Sequence, residues 1–294
     1  MKSKTIHNIS FGMGLAILVY SLMLALIYYS SNFYTAFALG SWLVLDWVDY
    51  KRNGNSILGY FYNHDHRDAF FVFFLLATFF AILIDYGYGV RLSGMWTWVG
   101  YETPEYFRMY LVMNAAYILS MYELFRVVRS YLKKYIPDKN QAHFRLGREL
   151  KHALLLGSFI VGFIFIIIPF YAFILRTNLL IEYAMLLPFL GMLLISDGIT
   201  VFLKGQSIIS KIFRFNVLHI SSLFLTVVIG SGVTEALNLF GGEWEYLRMP
   251  FSQVQVLGIP VAVFFGWIPL VLGVISIVNL IKHLDYIKDN KIRV

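Results

Sequence analysis

The chain has 294 residues, of which 59% are hydrophobic and 14% charged, and its mean hydropathy is +0.68. Soluble domains carry about 25% charged residues, so the composition excludes an ordinary soluble protein and indicates an integral membrane protein. The sequence has no cysteine, which excludes disulfides, thiol nucleophiles and thiolate metal sites.

Long apolar runs predict the elements in chain order. A helix needs roughly 20 apolar residues to cross a bilayer, and a helix satisfies its own backbone groups there. The first run exceeds the apolar region of a signal peptide, so we expect it to be a retained helix. The sequence predicts an all-α polytopic protein with about eight transmembrane helices, near residues 9–30, 33–50, 69–89, 106–126, 152–175, 178–202, 217–239 and 254–281.

Basic residues predict the orientation of these helices. If the N-terminus is cytoplasmic, all but four of the 24 lysines and arginines lie on the inner side. The four outer residues are Arg91, Arg108, Arg176 and Arg248. This asymmetry follows the positive-inside rule, so both termini are expected to be cytoplasmic and the location a cell membrane, typically a prokaryotic plasma membrane. Membrane lipids explain the net charge of +7, and no nucleic-acid partner is expected.

Two distant segments share one skeleton: "LDWVDYKRNGNSIL" at 45–58 and "SDGITVFLKGQSII" at 196–209. Four residues match at a constant spacing of 151, the difference between positions 46 and 197. The sequence therefore predicts an internal duplication. The matched residues are Asp46 with Asp197, Gly54 with Gly205, Ser56 with Ser207 and Ile57 with Ile208.

The duplication predicts how the chain is organised. Residues 1–128 form a first four-helix repeat, residues 129–151 a basic cytoplasmic linker, and residues 152–294 a second four-helix repeat. An even number of spans makes the two repeats parallel, related by an axis along the membrane normal. Equivalent acids from the two repeats are then expected to converge on one interior.

Asp46 and Asp197 have two interpretations. The favoured one is structural: a glycine ends each helix, and Ser56 or Ser207 caps the segment that follows. The alternative is a substrate-binding role, because an ionisable residue in a membrane helix is costly and often functional.

Acids near the predicted outer side suggest chemistry. Glu235 and Asn238 are three residues apart, on one helix face. The apolar surroundings of Glu235 favour a protonated carboxyl, which is what a general acid needs. A hydrogen bond to a neighbouring helix explains Glu235 equally well. This structural interpretation is preferred for Asp85, and the alternative is that Asp85 binds the substrate.

Aromatic residues follow both acids. "WTW", Trp96–Trp98, comes after Asp85, and "WEY", Trp244–Tyr246, comes after Glu235. Aromatic belts place such residues at the membrane interface. This belt is the favoured interpretation, and the pairing with an acid in both halves raises a second one, the wall of a site whose ring faces stabilise a cation.

The sequence indicates no metal and no cofactor. "NHDHRD", at 63–68, contains His64 and His66, but this spacing does not place both rings on one helix face, so a solvated loop is the favoured interpretation. No phosphate-binding loop, zinc motif, nucleophile elbow or dinucleotide fingerprint occurs.

The segment "GSGVTEALNLFGGEWEYLRMPFSQVQVLGIPVAVFFGW", residues 230–267, resembles the carotenoid hydratase membrane family. That family has a glycine and a glutamate in one helix, a glycine-aromatic-x-tyrosine segment, then Gly-Val-Pro and a tryptophan in the next helix. Where the family shows a small polar residue and glycine before its tyrosine, this chain has Glu243, Trp244 and Glu245. The matching positions are Gly232, Glu235, Gly242, Tyr246, Gly258, Pro260 and Trp267.

The resemblance implies a membrane enzyme that adds water to a terminal isoprenoid double bond. Glu235 would donate the proton, and Asn238 and Tyr246 would orient it or the water. A lipophilic small molecule is the expected partner, and the sequence does not specify an oligomeric state. The resemblance and the aromatic pairing together predict that Trp96, Trp98, Trp244 and Trp267 line the substrate pocket.

Two other classes of function stay open. A transporter with parallel repeats could use Asp46 and Asp197 to bind a cation or proton. A non-catalytic membrane subunit would need no site at all. A closed apolar slot ending at Glu235 favours the enzyme, whereas a water path joining the two aspartates favours transport.

Overall fold

The computed structural model describes residues 2–62, 66–141, 148–174, 186–205 and 207–292. Three predicted features lie outside the described residues: His64 of the histidine-containing loop, Arg176, and the start of the helix expected from residue 178. Part of the basic linker, residues 142–147, also lies outside them.

The first part of the chain is helical except for one short strand. Long helices alternate with short connecting elements, and two of the helices contain π-helical stretches, with wider turns than an α-helix. The elements are α1 (Lys2–Leu26), α2 (Tyr34–Asn53), α3 (Ile57–Tyr62), α4 (Arg67–Ala81, continuing as a π-helix over Ile82–Ser93), β1 (Trp96–Trp98), α5 (Thr103–Arg108, continuing as a π-helix over Met109–Met113) and α6 (Asn114–Leu132).

The second part has a similar order of elements. A long helix is followed by a second helix, a short helix, a third long helix, a short strand and a final helix, with an added hairpin before the last. The elements are α7 (Arg148–Ile174), α8 (Leu186–Phe202), α9 (Ile208–Phe213), α10 (Val217–Gly241), β2 (Trp244–Tyr246), β3 (Gln255–Val256), β4 (Ile259–Pro260) and α11 (Val261–Ile292).

Six described helices are long and apolar enough to cross a membrane. The described part of the chain is mostly helical, and the six helices are compatible with an all-α membrane protein. α2 has 20 residues but carries Asp46 and Asp49, and α8 is apolar but only 17 residues long as described. The six are Lys4–Leu26, Asp68–Ser93, Thr103–Leu132, Ala153–Tyr171, Val217–Gly241 and Val261–Leu284.

The last helix begins later than expected. The apolar run predicted a start near residue 254, but β3 and β4 form a hairpin there and α11 begins at Val261. Gly258 has φ +80°, which an α-helix does not accept, and Pro260 has no N–H to donate. Hydropathy alone did not reveal this break.

Glycines let the first two helices of each part approach closely. A Cβ on Gly40 would lie 2.7 Å from the backbone nitrogen of Leu18, so α1 and α2 meet backbone to backbone. A Cβ on Gly191 would lie 2.7 Å from the carbonyl oxygen of Gly162, so α7 and α8 meet in the same way. Small residues at such contacts are typical of membrane helix pairs. Gly40 and Gly191 also differ by 151 positions, the spacing of the repeated segment.

Asp46 and Asp197 make matching contacts with the segments that follow their helices. Asp46 Oδ1 accepts a hydrogen bond from Leu58 N at 2.8 Å, at the start of α3. Asp197 Oδ1 accepts one from Ile208 N at 2.7 Å, at the start of α9, and its other oxygen accepts from Ser207 Oγ at 2.5 Å. Contacts of this kind agree with a structural role for the two aspartates, which is the favoured interpretation. The helix ends differ, because Gly54 takes φ +75° whereas Lys204, and not Gly205, takes φ +65°.

In the first part of the chain, Asp46 belongs to a larger buried cluster. His7 Nδ1 lies 3.0 Å from Asp46 Oδ2, which ties α1 to α2. Arg126 Nε lies 2.7 Å from Asp49 Oδ2, and Glu123 Oε1 accepts from Ile57 N at 2.6 Å, which ties α6 to α2 and α3. Opposite charge and backbone donors together compensate the removal of these carboxyls from water.

Replacing Asp46 or Asp197 with alanine should destabilise the protein. Each substitution removes the acceptor of a backbone N–H at a helix start, and a buried group without a partner costs about 1–3 kcal/mol. We expect a lower unfolding temperature in detergent for Asp197→Ala and a smaller loss for Asp197→Asn, which keeps one acceptor oxygen. Wild-type stability of Asp197→Ala would contradict the assigned contact.

Candidate functional site

Two short strands form the frame of the candidate site. β1 and β2 pair antiparallel, with Trp96 opposite Tyr246 and Trp98 opposite Trp244. Alternate residues of a strand point to the same face, so the four aromatic side chains lie on one face of this two-stranded ribbon. The indole rings of Trp98 and Trp244 meet edge to face, with centroids 5.6 Å apart.

A glycine in the left-handed conformation leads the chain into each strand. Gly94 has φ +60° after the π-helical stretch of α4, and Gly242 has φ +61° after α10. This conformation ends a helix, and glycine adopts it without steric cost. The turns bring each strand back toward the acid of the preceding helix.

Glu235 lies on α10, is 1% exposed, and uses its two oxygens differently. Oε1 accepts hydrogen bonds from Tyr246 Oη at 2.6 Å and from Trp267 Nε1 at 3.0 Å. Trp244 Nε1 in turn donates to Tyr246 Oη at 2.9 Å. Oε2 has no hydrogen-bond partner among the described residues. One oxygen is therefore held by donors, whereas the other is buried and has no donor among the described residues.

Asp85, on the π-helical stretch of α4, has both oxygens occupied. Oδ1 accepts from Trp96 Nε1 at 2.9 Å. Oδ2 accepts from Trp98 Nε1 at 3.0 Å and from Tyr110 Oη at 2.8 Å. Three donors satisfy this carboxyl and hold both indole rings in place.

Both acids line one apolar cavity of about 400 Å³. Pockets of this size bury a small organic molecule, and an apolar lining with a few polar groups is typical of ligand sites. Phe189 and Met192 of α8 close another part of the wall. Seven residues expected from the sequence meet here: Asp85, Trp96, Trp98, Glu235, Trp244, Tyr246 and Trp267.

The four tryptophans are buried, from 7% to 9% exposed, so they do not form a lipid-facing belt. They instead pack around the acids of the cavity. This placement favours the interpretation of the aromatic residues as a site wall.

Three other expected site residues lie elsewhere. Asn238 receives hydrogen bonds from the backbone N–H groups of Glu243 and Trp244 and donates to the Trp244 carbonyl, so it holds the turn before β2. Asp46 and Asp197 are absent from the described residues that line the cavity, and they contact helix starts instead. These residues were predicted at the site from their spacing along the sequence. Spacing contains no information on how the loops fold, so it could not show their actual contacts.

Glu243 is a residue of the site region that sequence reasoning missed. It is fully buried beside the ribbon, accepts from Tyr34 N at 2.5 Å and also accepts from the Tyr101 hydroxyl. It thereby joins the start of α2 to the turn after α10. Its position between two glycines and a tryptophan, "GGEWEY", was the only signal in the sequence.

Comparisons of the chain with protein families, with curated proteins and with solved structures find no match. The resemblance of residues 230–267 to carotenoid hydratases therefore stays a prediction. The chemistry of the site rests on its own residues.

Burial raises the pKa of Glu243 to about 7, against opposing hydrogen bonds from Tyr101 and the Tyr34 backbone. The folded protein therefore holds this proton at pH values where the unfolded chain, with an ordinary glutamate pKa near 4.5, has lost it. Stability contributed by Glu243 should be fully present below about pH 4.5 and be lost as the pH rises through 7. In the Glu243→Gln variant, we expect the unfolding temperature not to show this decrease with rising pH. Parallel pH profiles of the two proteins would contradict the assignment.

Gly89 should tolerate no side chain, because a Cβ there would lie 2.0 Å from the Trp96 ring. Gly89→Ala should displace this ring, break its hydrogen bond to Asp85 and cost about 1–3 kcal/mol of stability. Gly87→Ala is the matched control, since its Cβ would meet only the Ile82 carbonyl at an ordinary 3.4 Å. Thermal unfolding and near-ultraviolet circular dichroism measure the difference. Equal effects of the two substitutions would contradict this packing.

Proposed function

We propose that this protein is a membrane-embedded enzyme that acts on an isoprenoid or another lipid and adds water to a terminal double bond. The observation that supports it is Glu235 Oε2, a buried carboxyl oxygen with no donor among the described residues, on an acid that lines an aromatic-walled apolar cavity. A general acid needs a proton and an unoccupied position beside its substrate. An apolar cavity whose described lining includes Glu235 but neither Asp46 nor Asp197 supports an enzyme over a transporter.

The proposed reaction begins with proton transfer. The alkene π electrons take the proton from Glu235 Oε2, and the O–H bonding pair stays on the carboxylate. A C–H bond forms at the less substituted carbon of the double bond, and positive charge develops on the other carbon, which becomes a tertiary cation. Oε1 keeps its hydrogen bonds from Tyr246 and Trp267, which stabilise the carboxylate as charge appears on it.

Water completes the reaction. Its oxygen forms a C–O bond to the cationic carbon, and one of its protons returns to Glu235. The products are a tertiary alcohol and the regenerated acid, with no change in oxidation state of the protein. Ring faces of the cavity and the carboxyl of Asp85 stabilise the cation between the two steps.

The cavity fits one end of a long hydrocarbon. At about 400 Å³ it has the volume of a small-molecule pocket, so the rest of a long isoprenoid would remain in the bilayer. A terminal double bond is the part that such a cavity admits. This match of size to reacting group supports a substrate that enters from the membrane.

The proposed architecture is an eight-span protein of the cell membrane, with two parallel four-helix repeats and both termini in the cytoplasm. Matching contacts of Asp46 and Asp197 support the duplication, as do the close glycine contacts of Gly40 and Gly191. The β1–β2 register adds support, because the central residues Thr97 and Glu245 face each other, as a two-fold axis between the strands requires.

Glu235→Gln should abolish hydration and leave folding intact. Glutamine keeps an oxygen for the Tyr246 and Trp267 donors but cannot act as the acid, so activity should fall at least about 100-fold. The assay uses purified protein in nanodiscs with a linear isoprenoid that has a terminal trisubstituted double bond. Mass spectrometry detects the gain of one water, and heavy-oxygen water labels the new hydroxyl.

Glu245→Gln is the matched control. Glu245 lies on the same ribbon but is exposed, so its replacement should leave turnover unchanged. Retained turnover in Glu235→Gln would eliminate the proposed acid. Lipid and pigment profiles of a deletion strain test the substrate class separately, because an unchanged isoprenoid profile would contradict it.

A further inference from the structure

A second cavity, of about 630 Å³, lies between the end of α6, the short helix α9, the start of α10 and residues 279–283 of α11. We call it the basic cavity. Its described lining shares no residue with the aromatic cavity. His219 lines it at the start of α10, whereas Glu235 lies roughly 24 Å further along the same helix at 1.5 Å per residue. The basic cavity is therefore a separate site. Five cationic side chains line it: Arg126, Arg129, Lys133, Lys211 and Lys282.

The cations of the basic cavity exceed its anions. Arg126 pairs with Asp49 at 2.7 Å, and Arg129 pairs with Asp138 at 2.5 Å. Within the described part of the chain, the three lysines have no carboxylate within ion-pair distance. Asp138 also lines the cavity, but it is already paired with Arg129, so it offsets the three lysine charges only in part.

His219 adds polar groups that have no partner. The side chain is 3% exposed, and neither ring nitrogen has a hydrogen-bond partner among the described residues. Its ring packs edge to face against Phe125, with centroids 5.4 Å apart. Buried polar groups are nearly always hydrogen-bonded, so an oxygen ligand in the cavity accounts for this imidazole.

Lys211 indicates the same need for negative charge. Burial and the neighbouring Arg129 lower the pKa of Lys211, and the carboxylate of Asp138 opposes them only in part. A bound anion would stabilise the charged ammonium group. Lys282 is held over the rings of Tyr60 and Tyr122, with its Nζ 5.4 Å and 5.7 Å from their centroids, so it is positioned before any anion arrives.

We propose that the basic cavity binds a phosphate group. Lys211, Lys282 and Lys133 supply charge, Arg129 supplies a free Nε–H, and His219 supplies a ring N–H. Arginine and lysine donors of this kind form charge-assisted hydrogen bonds to phosphate oxygens. The phosphate comes from one of two sources, the headgroup of an anionic phospholipid or a free phosphate compound, and basic cavities between membrane helices suit the first.

The test uses the full-length protein in a neutral detergent. Sodium phosphate is titrated at constant ionic strength against sodium chloride, and the unfolding temperature is recorded. Phosphatidylglycerol is added in a second arm, with phosphatidylcholine as the comparison lipid, and bound lipid is counted by native mass spectrometry. Saturable binding of phosphate, of phosphatidylglycerol or of both supports the site and identifies its source.

Variants connect this binding to the cavity. Lys211→Gln with Lys282→Gln should weaken binding at least about tenfold, since each substitution removes a charged donor to the phosphate oxygens. Lys134→Gln is the matched control, because Lys134 is exposed at the end of α6 and does not line the cavity. His219→Phe keeps the ring packing, removes the ring N–H and should also weaken binding.

The proposal is overturned if neither probe binds saturably, or if Lys134→Gln weakens binding as much as the cavity variants. The single variants Lys211→Gln and Lys282→Gln replace the double variant if that protein does not fold. Glu235→Gln should bind both probes as the wild type does. This result separates the basic cavity from the proposed hydration site, so that failure of either proposal is recognised independently.

Discussion

A carboxyl group placed among apolar helices must be surrounded by hydrogen-bond donors, because its transfer out of water is otherwise prohibitive. Four acids of this protein meet the requirement in the same way. Each lies near the end of a helix, and the segment after that helix returns to donate to it. In each case the acceptor and the donor are 11 or 12 residues apart. The carboxyl of Asp46 accepts a hydrogen bond from Leu58 N, that of Asp85 from Trp96 Nε1, that of Asp197 from Ile208 N, and that of Glu235 from Tyr246 Oη. These bonds hold the segment after each helix against the helix that precedes it.

The two acids of the aromatic cavity share this arrangement but differ in what it leaves available. Three donors occupy both oxygens of Asp85, so this carboxyl orients indole rings. Glu235 has two donors on one oxygen and none, among the described residues, on the other. Asp85 thus holds the wall of the cavity with both oxygens, whereas Glu235 keeps one oxygen without a donor among the described residues. The proposed function depends on this inequality rather than on the presence of two acids.

The sequence predicted the helical class and the grouping of acids with aromatic residues, since long apolar runs and local pairings are visible without coordinates. It did not predict the strands around Trp96 and Trp244. A strand of three residues is too short to show an alternating pattern, and the two strands that pair are far apart in the chain. It also gave Asn238 a catalytic position, whereas the side chain holds a turn. Glu243 went unrecognised because its partners, Tyr34 and Tyr101, are distant in the chain. Spacing along one helix predicts a shared face, but contacts across loops depend on the folded backbone.

The register of the two-stranded ribbon has a consequence for the origin of the chain. Trp96 faces Tyr246, Thr97 faces Glu245, and Trp98 faces Trp244. The first residue of each strand therefore faces the third residue of the other strand, and the two central residues face each other. Two copies of one strand related by a dyad would pair in the same way, which is the rule for an isologous contact. On the proposed duplication, the ancestor was a homodimer of four-span subunits whose strands joined across the symmetry axis. In that proposal, fusion let the two acids diverge, so that one became the anchor of the indole rings and the other the proposed proton donor.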